Sequence, residues 1–455
     1  MIKFEKERRS REEFRKKLSH ALDTFVVDDP YKSYRARGAF ERRAATTLKS
    51  VVTNLNAYAD RLLTLATENR FKGSRTMPQA YAARAILDQI GRDLEVILRA
   101  LQQRLPPLAS DGDEIVTRLQ MADNLAYAAL QPALDAGLVE PAAPVSYFQK
   151  SNSIRVIPYA RVALVGVPFS AIALTNDMLA IPHEVGHYIF WHAPLTRASL
   201  SGSLLRHVQG LPSWIQAWTE EIFSDIYGCL VAGPLMAVSA QDMFSGVPIE
   251  YFIRDDGEHP VSAARAYIFA SVLDTVGMPK LAKAFADEWE QSIGEIYGLR
   301  PNDPVTVGDG VRVPLDVVRE DLDTVVRRII GVDLFHMMRP AAQSWSWGDK
   351  ADADVVVKET LETDFDAYVQ QLLAAERPLP YLDTNIDGKE IRLENARQLT
   401  SVPLGSTGYP MLDELIARLE DEAEIAPALW SLLISSGGWT TGPGDGPPTG
   451  GKLFV

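Results

Sequence analysis

The sequence predicts an α+β protein that is predominantly helical. Most of the chain carries apolar residues three and four positions apart, which gives the one-sided apolar stripe of an amphipathic helix. Only two short segments, 154–157 and 161–167, have the β-branched composition and the Gly and Pro ends that favour strands. Because helical stripes precede and follow these segments, we expect a core of strands and helices between helical flanking domains.

The composition of the chain limits its class. Its 455 residues suggest about three domains, and a hydrophobic content of 46% is ordinary for a globular core. The net charge of −14 argues against a nucleic-acid partner, because phosphate binding requires clustered Lys and Arg. The single cysteine, Cys229, excludes a disulfide within these residues and the usual cysteine zinc sites. We expect Cys229 to be a small buried residue, since no base is placed to activate it.

No segment has the pattern of a membrane span or a secretion signal. The first nine residues are charged and lack the apolar stretch of a signal peptide. The longest nearly apolar run, 162–174, is too short to span a bilayer and is broken by Gly166 and Pro168. These features predict a soluble, cytoplasmic protein.

Residues 1–140 are expected to form an N-terminal helical domain. Residues 1–43 alternate in charge, as in a solvated helix. Three amphipathic stripes follow, at 48–62, 86–101 and 115–130. Such a domain could bind a partner or cover a cleft, and the sequence does not choose between these roles. Pro141 and Pro144 indicate a linker after it.

Residues 183–187 have the sequence His-Glu-Val-Gly-His. On a helix, His183 and His187 project from one face, about one turn of ~5.4 Å apart. Two imidazoles placed in this way can hold one Zn²⁺ through their ring nitrogens. Glu184 would lie beside the metal, where a carboxylate can accept a proton from activated water.

The residues around this motif affect the helix that would carry it. Proline is tolerated at the first helical position but not in a helix interior, so Pro182 predicts that the helix begins or kinks at the motif. Gly186 costs about 1 kcal/mol relative to Ala inside a helix. A residue without a side chain there would let another segment approach closely. Pro194 is expected to end the helix.

A second helix, expected at 214–231, supplies the remaining groups. Glu221 and Asp225 are four apart on one face, and Glu221 would complete a His₂Glu zinc site with a position open for water. Asp225 would accept the outer N–H of a ligand histidine, with His183 as the favoured partner. We choose Glu221 over Glu220 because only Glu221 has an acid four positions later. Apolar neighbours surround these acids, and buried acids require a cation.

These two motifs resemble those of the gluzincin metallopeptidases, in which HExxH is followed on a later helix by ExxxD. His259 and Pro260 precede Arg265 in an HPxxxxR pattern, which is similar to that of the CAAX-protease and membrane heat-shock peptidase family. The resemblance covers residues 160–275 and implies a zincin-like catalytic core within 141–300. It also implies that His259 faces the cleft to hold the substrate or the oxyanion, and that Arg265 braces the site. Those relatives are usually embedded in a membrane, whereas this sequence has no span.

The resemblance implies a further role for residues 161–174. In gluzincins a strand beside the metal helix has an open edge that pairs with the extended backbone of the substrate. A buried core strand is an equally good interpretation of the same residues. Two side chains are weaker catalytic candidates: His207, in an expected loop at 199–212, and Tyr267, as a donor to the transition state.

Residues 301–436 are expected to be mostly helical, with stripes at 314–330 and 354–376. Residues 383–394 match the calcium-loop pattern D-x-N-x-D-G-x₅-E, which makes Ca²⁺ a candidate ligand. Pro378 and Pro380 oppose the entering helix of such a loop, so we favour a β-hairpin turning at Asp387 and Gly388. The Gly- and Pro-rich residues 437–455 are expected to form a flexible tail.

The leading hypothesis is a zinc metallopeptidase that acts on a peptide or protein substrate, with metal-activated water and Glu184 as the general base. The alternative is a catalytically idle zincin-fold scaffold that serves as a helical interaction protein. A third interpretation is zinc-dependent hydrolysis of a non-peptide amide.

Overall fold

The computed structural model describes residues 93–104, 112–139, 143–150, 153–156, 162–195, 198–331 and 358–374, together with isolated positions before 93. The expected hairpin or calcium loop at 383–394 and the tail at 437–455 lie outside the described residues, as does most of 1–92. Within the described part, the prediction of a predominantly helical α+β chain is confirmed. None of its helices is long and apolar enough to cross a membrane.

The chain divides into two compact units. Unit 1 combines 1–123, 141–169 and 376–455, and unit 2 combines 124–140 with 170–375. This division differs from the expected boundaries at 140 and 300. Residues 141–169 contribute strands to unit 1, and the helix after residue 314 packs on the helices of unit 2.

From residue 93 onward, the described residues before the first histidine motif form two α-helices, three strands and two 3₁₀ helices (Phe169–Ile172 and Thr175–Met178). Residues 93–102 are helical, and the elements after them are α1 (Gly112–Asp135), β1 (Ala143–Gln149), β2 (Ser153–Val156) and β3 (Val162–Pro168). Pro144 lies inside β1, so the expectation of a linker at this position is wrong. Proline is tolerated there because β1 is an edge strand.

The strand β3 is the centre of its sheet. The strand order is β1-β3-β2, with β1 parallel and β2 antiparallel to β3. Both edges of β3 are therefore paired, and its residues from Ala163 to Val167 are buried. Within Ala163–Gly166 the expectation of an open edge is wrong, and the interpretation as a buried core strand is confirmed for Ala163–Val167, while Phe169–Ile172 form a 3₁₀ helix.

Polar side chains occupy the other edge of β1. The Gln103 side chain donates to Phe148 O (2.8 Å), and Phe148 N donates to Gln103 Oε1 (2.6 Å). Arg104 donates to Ser146 O and to Asp123 Oδ2, both at 2.6 Å, and Ser146 N donates to Asp123 Oδ1. These bonds satisfy the backbone groups that a further strand would otherwise use, so this edge is not open for strand addition.

The elements of unit 2 after β3 are mostly helices. They are α2 (Ile181–His192), β4 (Pro194–Leu195), β5 (Ala198–Ser199), α3 (Leu200–His207), α4 (Ser213–Ala217), α5 (Thr219–Ala232), α6 (Pro234–Ser245), α7 (Ile249–Phe252), α8 (Ser262–Thr275), α9 (Pro279–Tyr297), β6 (Pro304–Val307), β7 (Val311–Pro314), α10 (Leu315–Ile330) and α11 (Lys358–Ala374). The helices expected at 314–330 and 354–376 are thus present.

The expected loop at 199–212 and the expected mostly helical region at 301–436 both contain other structure. Residues 200–207 form α3 instead of a loop, because Leu200, Leu204 and Val208 are spaced to bury one helical face. The hairpin β6–β7 interrupts the expected helical region, with Val305 paired to Val313. Its turn contains Gly308 and Gly310 at positive φ, which only glycine adopts at low cost.

The helices α2 and α5 pack in backbone contact. A Cβ on Gly186 would lie 2.8 Å from Ser224 Cα, and a Cβ on Gly228 would lie 3.1 Å from His183 N. The expected close approach at Gly186 is therefore confirmed. Glycine on both helices brings the residues of the two motifs within side-chain reach of each other.

The start of α2 agrees with the position of its proline. The helix begins at Ile181 with Ala180 as its N-cap, and Pro182 lies in the first turn, where its missing N–H has no intrahelical partner to lose. The helix ends at His192, two residues before Pro194. The motif therefore lies in the first two turns of α2.

Candidate metal centre

Three donor side chains from α2 and α5 converge at one point. The Nε2 atoms of His183 and His187 are 3.1 Å apart. The Glu221 carboxylate presents Oε2 at 3.5 Å from His183 Nε2 and Oε1 at 3.4 Å from His187 Nε2. All three residues are buried, and among the described residues they are the group whose ligand atoms could hold a metal ion.

The donor spacing is close to that of a tetrahedral metal site. Bonds of ~2.0–2.1 Å in a tetrahedral set place any two donor atoms about 3.3–3.4 Å apart. The two imidazole nitrogens are 3.1 Å apart, and each lies 3.4 or 3.5 Å from a different oxygen of the Glu221 carboxylate, so the separations are close to this value. Two imidazole nitrogens and one carboxylate are also the donor types that suit zinc rather than Ca²⁺ or Mg²⁺.

His183 has an acidic partner on its outer nitrogen. Its Nδ1 atom lies 2.9 Å from Asp225 Oδ1, which is the partner that the sequence favours, although the N–H is poorly aligned for a hydrogen bond. Burial opposes the charged form of the imidazole, but Asp225 and Glu221 outweigh it and raise the pKa of His183 to about 9. The surroundings of His183 thus favour a positive charge at this position.

His187 has a different acidic partner, which the sequence analysis did not select. Its Nδ1 atom lies 2.8 Å from Glu220 Oε1, and the indole of Trp191 donates to the same oxygen at 2.7 Å. A sequence signal existed, because Trp191 is four residues after His187 and therefore shares its helical face. The i, i+4 pairing of acids alone favours Glu221 over Glu220 and does not indicate this contact.

Arg265 on α8 joins the two acids of the ExxxD motif. Its guanidinium donates to both oxygens of Asp225, at 2.7 and 2.9 Å, and to Glu221 Oε2 at 2.8 Å. Burial alone would raise the pKa of both carboxyls, but the surrounding cations outweigh it. The pKa of Asp225 is lowered mainly by Arg265, and the pKa of Glu221 is lowered further by His259 and His187 together with Arg265. Both acids are therefore held ionised in a buried environment.

Glu184 is buried beside the first ligand. Burial raises the pKa of its carboxyl, and the nearby His183 and His187 only partly offset this effect. A carboxylate with a raised pKa can accept a proton at neutral pH more readily than an exposed one.

His259 reaches the site from the loop between α7 and α8. Its Nε2 atom is 3.2 Å from Glu221 Oε1, while its Nδ1 atom and its backbone N each lie 2.8 Å from a carboxylate oxygen of Asp256. Burial opposes the charged form, but Glu221 and Asp256 raise the pKa of His259 to about 10. The ring thus lies beside a candidate ligand rather than within the three-residue group.

Neighbouring elements anchor this loop. Asp255 accepts hydrogen bonds from the Trp218 indole (3.1 Å) and from Gly308 N (2.9 Å). A β-bridge joins Arg254 to Thr306 of β6. The hairpin β6–β7, which the sequence pattern does not predict, therefore helps to position His259.

The weaker candidates are not brought into this group. Tyr267 is buried, its ring faces the guanidinium of Arg319 at 4.6 Å, and its pKa is raised to about 12 by burial. His207 is exposed at the end of α3. Cys229 is a buried free thiol with a raised pKa, which agrees with the prediction that it is a small buried residue.

Comparison with family models, curated proteins and solved structures finds no match for this chain.

Proposed function

We propose that this chain is a zinc-dependent metallopeptidase with a zincin-like core in unit 2. The observation that carries the proposal is the donor spacing of His183, His187 and Glu221, which suits one tetrahedral zinc ion. Three protein ligands leave the fourth position open, as in catalytic rather than structural zinc sites. Bound zinc would supply a Lewis acid that activates water and polarises the scissile carbonyl.

Glu184 is the general base in this proposal. It accepts the proton of the attacking water and then delivers it to the leaving amine. Its position next to His183, and the raised pKa that burial gives its carboxyl, support both steps. The acid must gain and lose a proton within one cycle, so an environment that brings its pKa toward neutrality favours catalysis.

His259 and Arg265 act around this centre. The Nδ1 atom of His259 is held by Asp256, so Nε2, which lies 3.2 Å from Glu221 Oε1, is the ring nitrogen that would donate to the carbonyl oxygen as negative charge develops on it. Arg265 fixes the carboxylates of Glu221 and Asp225, so that the ligand oxygen and the partner of His183 keep their places. The substrate would be a peptide or protein segment that reaches the buried donor group.

The test pairs metal analysis with a peptide-library digest. We expect the purified protein to contain about one zinc per chain and to release fragments that disappear when a chelator is added. Glu184→Gln should keep zinc and fold but lose at least about 10²-fold in kcat, since general bases contribute roughly 10²–10⁴-fold.

Glu288→Gln is the matched control, because Glu288 is exposed on α9. This variant should cut like the parent. A Glu184→Gln protein that cuts as fast as the parent would disprove the base assignment. Zinc binding with no fragments from any library would instead favour the scaffold alternative.

A further inference from the structure

We propose that Glu220, oriented by Trp191, is a positioning residue that fixes His187 for metal binding. The inference rests on the proposed function, because it concerns the same centre. It starts from two adjacent glutamates that face opposite nitrogens of one ring. Glu221 Oε1 is 3.4 Å from His187 Nε2, and Glu220 Oε1 is 2.8 Å from His187 Nδ1.

This arrangement selects the tautomer of His187. A carboxylate accepts hydrogen bonds only, so Glu220 requires the proton of the neutral ring to sit on Nδ1. The lone pair of the ring then lies on Nε2, the nitrogen that faces His183 Nε2 at 3.1 Å and Glu221. A hydrogen-bonded carboxylate also makes the imidazole a stronger donor to a metal.

Trp191 holds the carboxylate in place. Its indole donates at 2.7 Å to the same Glu220 oxygen that faces His187. His183, His187 and Trp191 are each four residues apart on α2, so the three rings share one helical face. His183 and His187 supply two of the donor nitrogens, and Trp191 orients Glu220, the carboxylate that faces His187.

The two histidines therefore have unequal carboxylate partners. Asp225 is paired with the cationic guanidinium of Arg265, which compensates its charge. Glu220 accepts from a neutral indole, and within the described residues no Lys or Arg side chain is paired with it. Glu220 also lies in the first turn of α5, where the helix dipole favours an acid. The two carboxylates that face the histidine rings therefore have different hydrogen-bond donors, a guanidinium for Asp225 and an indole for Glu220.

The experiment measures zinc affinity and the absorption spectrum of the cobalt(II)-substituted protein, using the full chain. Zinc affinity is obtained by competition with a chromophoric chelator. Glu220→Ala should weaken zinc binding about 10- to 100-fold, the usual effect of losing an outer partner of a ligand histidine. It should also change the visible cobalt bands, because these report ligand geometry.

Two conservative variants separate charge from orientation. Glu220→Gln keeps an oxygen that can accept from Nδ1 but loses the charge, so its loss should be smaller than that of Glu220→Ala. Trp191→Phe keeps the charge and loses the orienting donor, so it should also fall between the parent and Glu220→Ala. Because both residues act through one oxygen, the losses of Trp191→Phe and Glu220→Ala should not add. Glu288→Gln, an exposed charge change on α9, should bind as the parent does.

The outcomes distinguish this inference from the proposed function. If Glu220→Gln and Glu220→Ala both bind zinc within twofold of the parent and share its cobalt spectrum, the role of Glu220 is wrong while the zinc site stands. If the parent itself takes up no zinc, both proposals fail. Should Glu220→Ala unfold, as judged by circular dichroism without metal, the zinc affinities of Glu220→Gln and Trp191→Phe are compared with that of the parent. If both bind zinc within twofold of the parent, the role of Glu220 is wrong.

Discussion

His183, His187, Glu221 and His259 each have a further polar group within hydrogen-bond or ion-pair distance. Asp225 faces His183, Arg265 binds Glu221, and Asp256 holds His259. An unpaired charge in such a buried place would cost several kcal/mol. Pairing offsets this cost and fixes the side-chain directions before a ligand arrives, which is the arrangement that catalysis by preorganised dipoles requires.

The pair of Asp256 and His259 predicts a pH-dependent stability in the metal-free protein. Because the pKa of His259 is raised to about 10 in the folded state, its charged form contributes full stability below the unfolded value of about 6.5. This contribution is lost as the pH rises through about 10. Asp256→Asn should therefore destabilise the protein more at pH 6 than at pH 9.5, as measured by urea unfolding with a chelator present.

Asp287→Asn is the control for this comparison, since it removes a carboxylate from an exposed pair with Lys283. It should show little destabilisation at either pH. Equal destabilisation by Asp256→Asn at pH 6 and pH 9.5 would contradict the assigned charge of His259.

At the level of helices, the contact between α2 and α5 depends on glycine. Gly186→Ala would gain about 1 kcal/mol of helix propensity but would place a Cβ 2.8 Å from Ser224 Cα. Backbone cannot yield as a side chain can, and overpacking costs about 1–3 kcal/mol. We expect a net loss of stability in thermal or urea unfolding, and weaker zinc binding because the two helices must separate.

Gly294→Ala on α9 provides the matched control for this prediction. Its new Cβ would meet Leu299 O at 3.7 Å, which is an ordinary contact. Because Ala has a higher helix propensity than Gly, this variant should be as stable as the parent or slightly more stable. If both glycine variants change stability alike, close packing at Gly186 is not the cause.

The sequence predicted those elements whose signal is local. The i, i+4 spacings of His183 with His187 and of Glu221 with Asp225 place each pair on one helical face, whatever the rest of the chain does. The central position of β3 could not be predicted, because strand order depends on which distant segments pair. The role of Asp256 was missed for the same reason, since it follows from a loop that the hairpin β6–β7 holds in place.

At the scale of the whole molecule, the candidate centre lies entirely within unit 2. Its groups come from α2, α5, α8 and the loop that carries His259. Along the chain, α3 and α4 separate α2 from α5, and α6 and α7 separate α5 from this loop. No single element can assemble the donor group. Binding of a metal should therefore be coupled to the folding of these elements together.

This coupling predicts that zinc stabilises the protein by an amount that rises with the logarithm of its free concentration once that concentration exceeds Kd. A ligand that binds only the folded state adds about 2.7 kcal/mol at a free concentration of 100 times Kd. A chelator should lower the Tm of the protein as purified, and added zinc should restore it. Because zinc requires a deprotonated His183, whose pKa is about 9 without metal, binding releases a proton. The zinc-induced rise in Tm should therefore be larger at pH 8 than at pH 6.

Variants of the ligands separate this effect from nonspecific binding of metal. His183→Ala and Glu221→Ala should abolish the zinc-dependent rise in Tm, whereas His207→Ala, which removes an exposed histidine outside the donor group, should keep it. Calorimetry in two buffers of different ionisation enthalpy would count the released protons directly. A rise in Tm that survives in the two ligand variants would place the bound zinc elsewhere in the chain, and the donor geometry of α2 and α5 would then have no part in stability.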